Sequence, residues 1–244
     1  MNLLLKLAFL FFIGSVLGWV LELFFRRFFS SANPERKWIN PGFCTGPYLP
    51  LYGSGLCILY LIALLEDFNL IQSHFWNKFV LFSAMAICMT AIEYIAGIVS
   101  LKVGKVRLWD YTNEWGNIQG IICPKFSVIW AAIGGIYYFF IHPEILDAIS
   151  WLAMHLAFSF VIGLFFGVFL TDVAKSAQLV AKLKKYADEN QIILRYEEIK
   201  SEIRRHNEMV QEKYNFFHPF QTVLPLSEHV KNLRESFEQR MPKR

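Results

Sequence analysis

Five apolar runs, each close to the length that crosses a bilayer, dominate the first two-thirds of the chain. A helix needs about 20 mainly apolar residues to span the hydrocarbon core. The runs lie near Leu3–Phe25, Tyr48–Leu65, Phe79–Leu101, Ile118–Ile141 and Trp151–Val173. Of the 244 residues 55% are apolar and 18% charged, fewer charges than the quarter or so usual in a soluble domain. Backbone groups in lipid must find partners within their own segment, so the runs read as helices. The expected fold class is all-α: a polytopic membrane domain over residues 1–173 with five transmembrane helices, and an amphipathic helical tail over 174–244.

The first run stays apolar beyond the length of a signal-peptide core. It ends in Glu22 and Arg26-Arg27 rather than in a small-residue cleavage site, so a retained helix is expected. Cys44, Cys57, Cys88 and Cys123 lie in or beside the spans without paired spacing. They read as small buried hydrophobes, not as a disulfide framework or a metal site.

Basic residues set an orientation. Arg26, Arg27, Arg36 and Lys37 follow the first run; Lys102, Lys105 and Arg107, with Lys125 close by, follow the third; and the tail after the fifth is rich in both types. The opposite side holds only Lys6 and Lys78, and the connection from His142 to Ser150 has none. Positive charge stays in the cytoplasm, which puts the N-terminus outside and the C-terminus inside.

Between the first two runs, Asn40 to Gly53 is crowded with proline and glycine. Irregular backbone at membrane depth persists only where protein or a wet cavity satisfies it, so this stretch reads as the wall of a site. A similar order recurs later. Glu22, Trp38, Gly42/Gly46 and Pro47 are echoed by Glu93, Trp109, Gly116/Gly120 and Pro124, with the two tryptophans at equal spacing from their glutamates. A parallel repeat of two broken, re-entrant hairpins fits this order, and so does coincidence among residues common at membrane ends.

Carboxylates inside spans are the first candidates for chemistry, because each costs a few kcal/mol unless it pairs, protonates or faces a cavity. Glu22 has Arg26 one turn later. Glu93 has no base in its own helix, so Arg26, Arg107 or Lys125 would have to reach it from elsewhere. Asp110, between Trp109 and Tyr111, either joins the site or caps the backbone near Gly116 and Asn117. The expected substrate-binding set is Glu22, Asn40, Gly42, Gly46, Tyr52, Glu93, Trp109, Asp110, Tyr111 and Asn117, with Glu93, Asp110 and Glu22 as catalytic candidates. Free N–H groups in the first loop, with the cations around it, would suit an anionic ligand.

Ser159, Gly163 and Gly167 form a small-residue face suited to helix packing. His155 near Trp151 reads as interfacial. In the tail, Leu179, Leu183, Tyr186, Ile193, Ile199, Ile203, Val210 and Tyr214 recur at helical steps, as an amphipathic helix or a coiled coil whose register slips near Tyr196. Phe216 to Pro219 should end it. Ser227 should cap a last helix whose stripe is Val230, Leu233, Phe237 and Met241.

No phosphate-binding Gly-x-x-x-x-Gly-Lys loop, His-Glu-x-x-His motif or Gly-x-Ser-x-Gly elbow is present. No cofactor is expected, and a tail alternating bases with acids argues against nucleic acid.

Gly18-Trp19 with Glu22, Asn40-Pro41-Gly42-Phe43 with Gly46-Pro47 and Leu51-Tyr52-Gly53, Glu93 with Gly97, Trp109-Asp110-Tyr111 with Asn117 and Gly120, and Trp130 together resemble the ABC-transporter type IV (CmpB-like) family of bacterial membrane permeases. Cys44 and Thr45 stand where bulkier apolar residues would be expected. The resemblance covers the five spans and not the tail. It implies a permease in a bacterial inner membrane, served by a separate ATPase subunit that docks on the cytoplasmic loops or the tail. Five helices rarely enclose a large path, so a homo-oligomer is expected. The rival readings are an intramembrane enzyme acting on a lipid-linked group, with Glu93 as base, and a non-catalytic scaffold or sensor.

Overall fold

The computed structural model describes residues 2–30, 33–68, 71–189, 193–209, 217, 220, 222 and 224–240, with side chains at all of these except 209 and 236–240. Its first helix, α1 (Leu3–Phe28), starts where the Asn2 side chain accepts a hydrogen bond from the Leu4 N–H at 3.2 Å. It ends on Arg26 and Arg27, cations that suit the negative end of the helix dipole. Both α2 (Pro50–Ala63) and α4 (Pro124–Ile136) begin on a proline, whose fixed φ and missing N–H fit the first turn. Between them, α3 (His74–Gly104) closes on Lys105 in the left-handed region at φ 54°.

The fourth span does not stop at Ile141 as the sequence suggested. Residues Tyr137–Ile141 form one π-helical turn that leads directly into α5 (His142–Met154). The expected loop 142–150 is therefore helical. Pro143 has no N–H and its ring would strike the carbonyl four residues back; the extra residue in the π turn accommodates both. A 3₁₀ turn, Leu156–Phe158, then opens onto α6 (Ser159–Glu189). Among the described residues five helical stretches are long and apolar enough to cross a membrane: Leu3–Phe28, Pro50–Phe68, His74–Gly104, Pro124–Met154 and Leu156–Glu189.

Lipid tails are as apolar as leucine, so helices in a membrane associate by close packing and polar contacts rather than by burial of apolar area. The α1–α2 pair illustrates this. A Cβ on Gly18 would lie 2.2 Å from the Cβ of Tyr52, so only glycine permits this approach. The shared core runs through Phe9 and Leu10 of α1, Leu59 and Tyr60 of α2, Met85 and Met89 of α3, Trp130 of α4 and Leu152 of α5. A second aromatic cluster, Phe11, Phe165, Phe166 and Phe169, joins α6 to α1.

The far half of α6 runs past the bundle and carries a small C-terminal layer. Strands β1 (Val106–Arg107) and β2 (Leu194–Arg195) pair in parallel, Val106 opposite Leu194. Helices α7 (Tyr196–Met209) and α8 (Leu226–Arg240) pack around Leu183, Ala187, Ile199, Ile203 and Val230. The register slip expected near Tyr196 is a break in the helix: α6 ends at Glu189 and α7 restarts after β2. Ile193 is exposed, while Ile199 and Ile203 are spent on the chain's own core. Ser227 lies inside the first turn of α8, because the Pro225 carbonyl already receives the Glu228 and His229 N–H groups. Val210, Tyr214, Phe216, His218, Pro219, Met241 and the Phe237 side chain lie outside the described residues.

Candidate functional site

Near the Arg26 end of the bundle, four helices and one loop bring polar side chains together. Glu22 on α1 accepts from Arg26 Nε at 3.0 Å and from the Tyr52 hydroxyl of α2 at 3.0 Å. The Tyr52 ring lies against Trp130 of α4, with centroids 5.3 Å apart. Glu93 on α3 is 3% exposed and accepts one hydrogen bond, from the Tyr111 hydroxyl at 3.1 Å. Its other oxygen, Oε2, lacks a hydrogen bond of acceptable geometry among the described residues, although the Trp130 indole lies alongside. Tyr111 stacks on Phe126 at 4.2 Å, which fixes its hydroxyl toward Glu93.

Burial first, and then the charges of Glu93 and Glu22 and the phenol of Tyr52, push the Tyr111 hydroxyl well above the ordinary tyrosine range. It stays protonated and donates. None of the three bases considered for Glu93 pairs with it: Lys125 binds Glu114 at 2.8 Å, Arg107 binds Asp110 at 3.2 Å, and Arg26 is taken by Glu22 and Glu197.

The C-terminal layer reaches this site directly. Arg26 Nη1 meets Glu197 of α7 at 2.7 Å, and Lys200 Nζ approaches the same carboxylate at 3.4 Å. Lys200 is 2% exposed and donates to the carbonyls of Asn40 at 3.1 Å and Gly42 at 3.5 Å, while its ammonium sits over the Tyr196 ring. Burial opposes charge on Glu197, but Lys200 and Arg26 outweigh it and hold the carboxyl below its usual range. Burial pushes the Lys200 ammonium down to about 8; Glu197 resists this and Arg26 adds to it. A chain of contacts thus runs from α7 through Arg26 and Glu22 to Tyr52 and Trp130.

The first loop is built from inside. Asn40 is fully buried and uses both ends of its amide: Oδ1 accepts from Trp19 Nε1 and Gly42 N, and Nδ2 donates to the Cys44 and Thr45 carbonyls. Asp172 on α6 accepts from Thr45 N at 3.2 Å, Thr45 Oγ1 at 2.7 Å, Gly46 N at 2.8 Å and the Tyr48 hydroxyl at 2.5 Å. Cys44 is buried, and burial, with Asp172 adding to it, raises its thiol to about 12. The departures at Cys44 and Thr45 are accommodated here, Thr45 by its bonds to Asp172.

Of the residues singled out from sequence, Glu22, Tyr52, Glu93 and Tyr111 meet. Asn40, Gly42 and Gly46 lie in the adjoining loop and contribute backbone and amide contacts. Trp109 donates to the Ile121 carbonyl at 2.9 Å and packs on Gly97. Asp110 stands apart from Glu93, tied to Arg107 and Arg195 at 3.2 Å each and capping the Thr112 N–H at 3.0 Å. Asn117 closes the second loop by donating to the Thr112 and Glu114 carbonyls and accepting from Gly120 N. Gly116 and Gly120 take positive φ, unlike Gly42 and Gly46, so the two hairpins differ in loop conformation. Sequence reasoning missed Asp172, Glu197 and Lys200. The signal for Asp172 was the one used for Glu93, a carboxylate within a helical run; the other two carry no mark among the many charges of the tail.

Five spanning helices enclosing acidic and phenolic side chains beneath an irregular loop define a multi-pass helical membrane protein. The chain belongs to the family described as "Putative ABC-transporter type IV", whose model matches residues 9–177. That region holds Glu22, Glu93, Tyr111 and Asp172 and ends ahead of Glu197 and Lys200. No curated protein and no solved structure matches the chain.

Proposed function

We propose that the chain is the membrane-embedded permease component of an ABC-type transporter in a bacterial inner membrane, N-terminus outside and C-terminus cytoplasmic. Residues 1–173 form its membrane domain and the tail lies in the cytoplasm. Glu22, Tyr52, Glu93 and Tyr111 line the substrate path at its cytoplasmic end, with Asn40, Gly42 and Gly46 in the loop beside them. The observation that carries this reading is the Glu93 carboxyl. It is buried within a span with the Tyr111 phenol and the Trp130 indole against it, and among the described residues no base pairs with it, which suits a substrate that brings its own cation or hydrogen-bond donor. The ion pairs from Arg26 to Glu197 offer a mechanical link by which an ATPase bound to the tail side would act on that path. Trp109, Asp110 and Asn117 hold the second loop in shape.

An intramembrane enzyme with Glu93 as base is the weaker reading. Its expected partners are engaged elsewhere, Asp110 with Arg107 and Arg195, and Glu22 with Arg26.

The tagged chain, isolated gently from its native membrane, should bring an ATPase subunit with it. Glu93→Gln should capture as much of that subunit but lose about ten- to a hundredfold of transport-coupled ATP hydrolysis, the scale of one charge-assisted hydrogen bond. Capture of no ATPase, or wild-type turnover in Glu93→Gln, would count against the proposal.

A further inference from the structure

We propose that α7 is a hinged latch over the inner end of the Glu22–Glu93 cluster. It swings on the second loop, and the contacts of Glu197 and Lys200 with α1 and the first loop hold it shut. In the permease reading, on which this rests, the latch closes the substrate path on its cytoplasmic side.

The short stretch from Leu194 to Lys200 is joined to two parts of the bundle by two kinds of contact. Toward the second loop the join is backbone pairing and apolar packing. Leu194 lies opposite Val106 in the parallel strands and donates its N–H to the Lys105 carbonyl at 3.2 Å. Both side chains are buried in one core with Leu183, Ile199 and Ile203. Toward α1 and the first loop the join is mainly polar. Glu197 accepts from Arg26 at 2.7 Å, the Tyr196 hydroxyl donates to the Phe43 carbonyl at 3.1 Å, and Lys200 donates to the Asn40 carbonyl at 3.1 Å. Lys37 and Glu208, paired at 2.7 Å, extend this seam to an exposed edge. Phe43 adds a ring contact to Tyr196, with centroids 6.0 Å apart.

The difference decides which side gives way. Water replaces polar contacts as two surfaces part, so each such bond is worth little net, whereas exposing apolar area is opposed throughout. The seam therefore opens before the hinge. Behind it lies the cluster. Arg26 holds Glu22, whose other oxygen accepts from Tyr52, and Glu93 is close enough to Glu22 for the two carboxylates to repel. The hinge side reaches the same cluster. Arg195 pairs with Asp110 at 3.2 Å, and the next residue, Tyr111, donates to Glu93. A swing of α7 about β1 pulls on Tyr111 while it frees Arg26 from Glu197.

The test is the reactivity of the Glu93 carboxyl, in the purified full-length chain, toward a water-soluble carbodiimide and glycine ethyl ester, read by mass spectrometry. Glu66, which accepts from Tyr138 at 2.7 Å beyond the other end of α2, is the reference for general loosening. Glu197→Gln with Lys200→Met removes one charge of each sign from the seam and leaves Arg26 its bond to Glu22. In that double variant Glu93 should react about tenfold faster than in wild type, the scale of one charged hydrogen bond, with Glu66 and elution on size exclusion unchanged. Should Glu66 react faster too, a measurement without substitution decides. Lys200 is 2% exposed, so in wild type acetylated sparingly on its lysines it reacts only while the latch is open, and the acetyl group then keeps it open. Chains acetylated there should carry the Glu93 modification about ten times as often as chains that are not. Equal Glu93 reactivity in the double variant and wild type, or no excess in chains acetylated on Lys200, would overturn the latch. Failure to capture an ATPase, with Glu93 still responding to the seam, would remove the permease reading and leave the latch standing.

Discussion

Glu93 and Asp172 are both carboxylates within long apolar helices, and their surroundings divide their tasks. Asp172 is saturated by donors from Thr45, Gly46 and Tyr48 and serves as the peg of the first loop. Glu93 has only neutral donors beside it among the described residues, the Tyr111 phenol and the Trp130 indole. Both were detectable in principle from the cost of a charge in a span. Lys200 was not, because a lysine in a mixed-charge tail is ordinarily solvated, and only the folding of α7 onto Asn40 and Gly42 buries it. Its titration has a definite sign. In the unfolded chain Lys200 keeps its proton to about 10.4, whereas burial in the folded chain lowers it to about 8. Between those limits the unfolded state binds more protons, so this group's penalty is fully present below about 8 and is relieved as pH rises toward about 10. Thermal unfolding in detergent should therefore show a rise in midpoint from pH 7.5 to 9.5 that shrinks in Lys200→Gln. An identical pH response in the variant would show that Lys200 does not titrate in this way.

At the scale of helices and loops, close approach decides the geometry. The second loop lies on α3 because Gly97 leaves room for Ile121 and the Trp109 ring; a Cβ there would come within 2.2 Å of Ile121 Cγ2. Gly97→Leu should overpack this contact, cost about 1–3 kcal/mol and loosen residues 105–123. Limited trypsin cleavage at Lys105 and Arg107 in detergent would reveal it as faster cutting than in wild type. The same substitution at Gly163 meets open space and should leave that cleavage rate unchanged. Glycines in apolar runs look alike in sequence, so which of them touch a neighbour was legible only after packing. The helical continuation through His142 was also hidden: Pro143 normally ends a helix, and the π turn before it is a tertiary accommodation.

For the molecule as a whole, the C-terminal layer is not an appendage to the bundle. Its core includes Val106 from the loop between α3 and α4, and its α7 supplies the partners of Arg26 and the Asn40 carbonyl. The proposed orientation is open to direct test. A single cysteine replacing Lys78, in a chain otherwise lacking cysteines, should react with a membrane-impermeant thiol reagent in intact cells, and one replacing Lys105 should react only after the membrane is opened. The reverse pattern would invert the topology.

Apolar run length and charge placement by themselves determined that this is an all-α chain with five spanning helices, because hydrocarbon admits few other ways to satisfy a backbone. The Asn-Pro-Gly-Phe stretch and its companions likewise identified the family ahead of any geometry. The tertiary structure alone decided that Glu22 and Glu93 share one cluster while Asp110 does not, that the tail closes over the first loop, and that Gly97 touches a neighbour while Gly163 meets open space. Each of those depends on contacts between residues far apart in the chain. Local composition carries no record of which distant side chain fills, or leaves empty, the space beside a given residue.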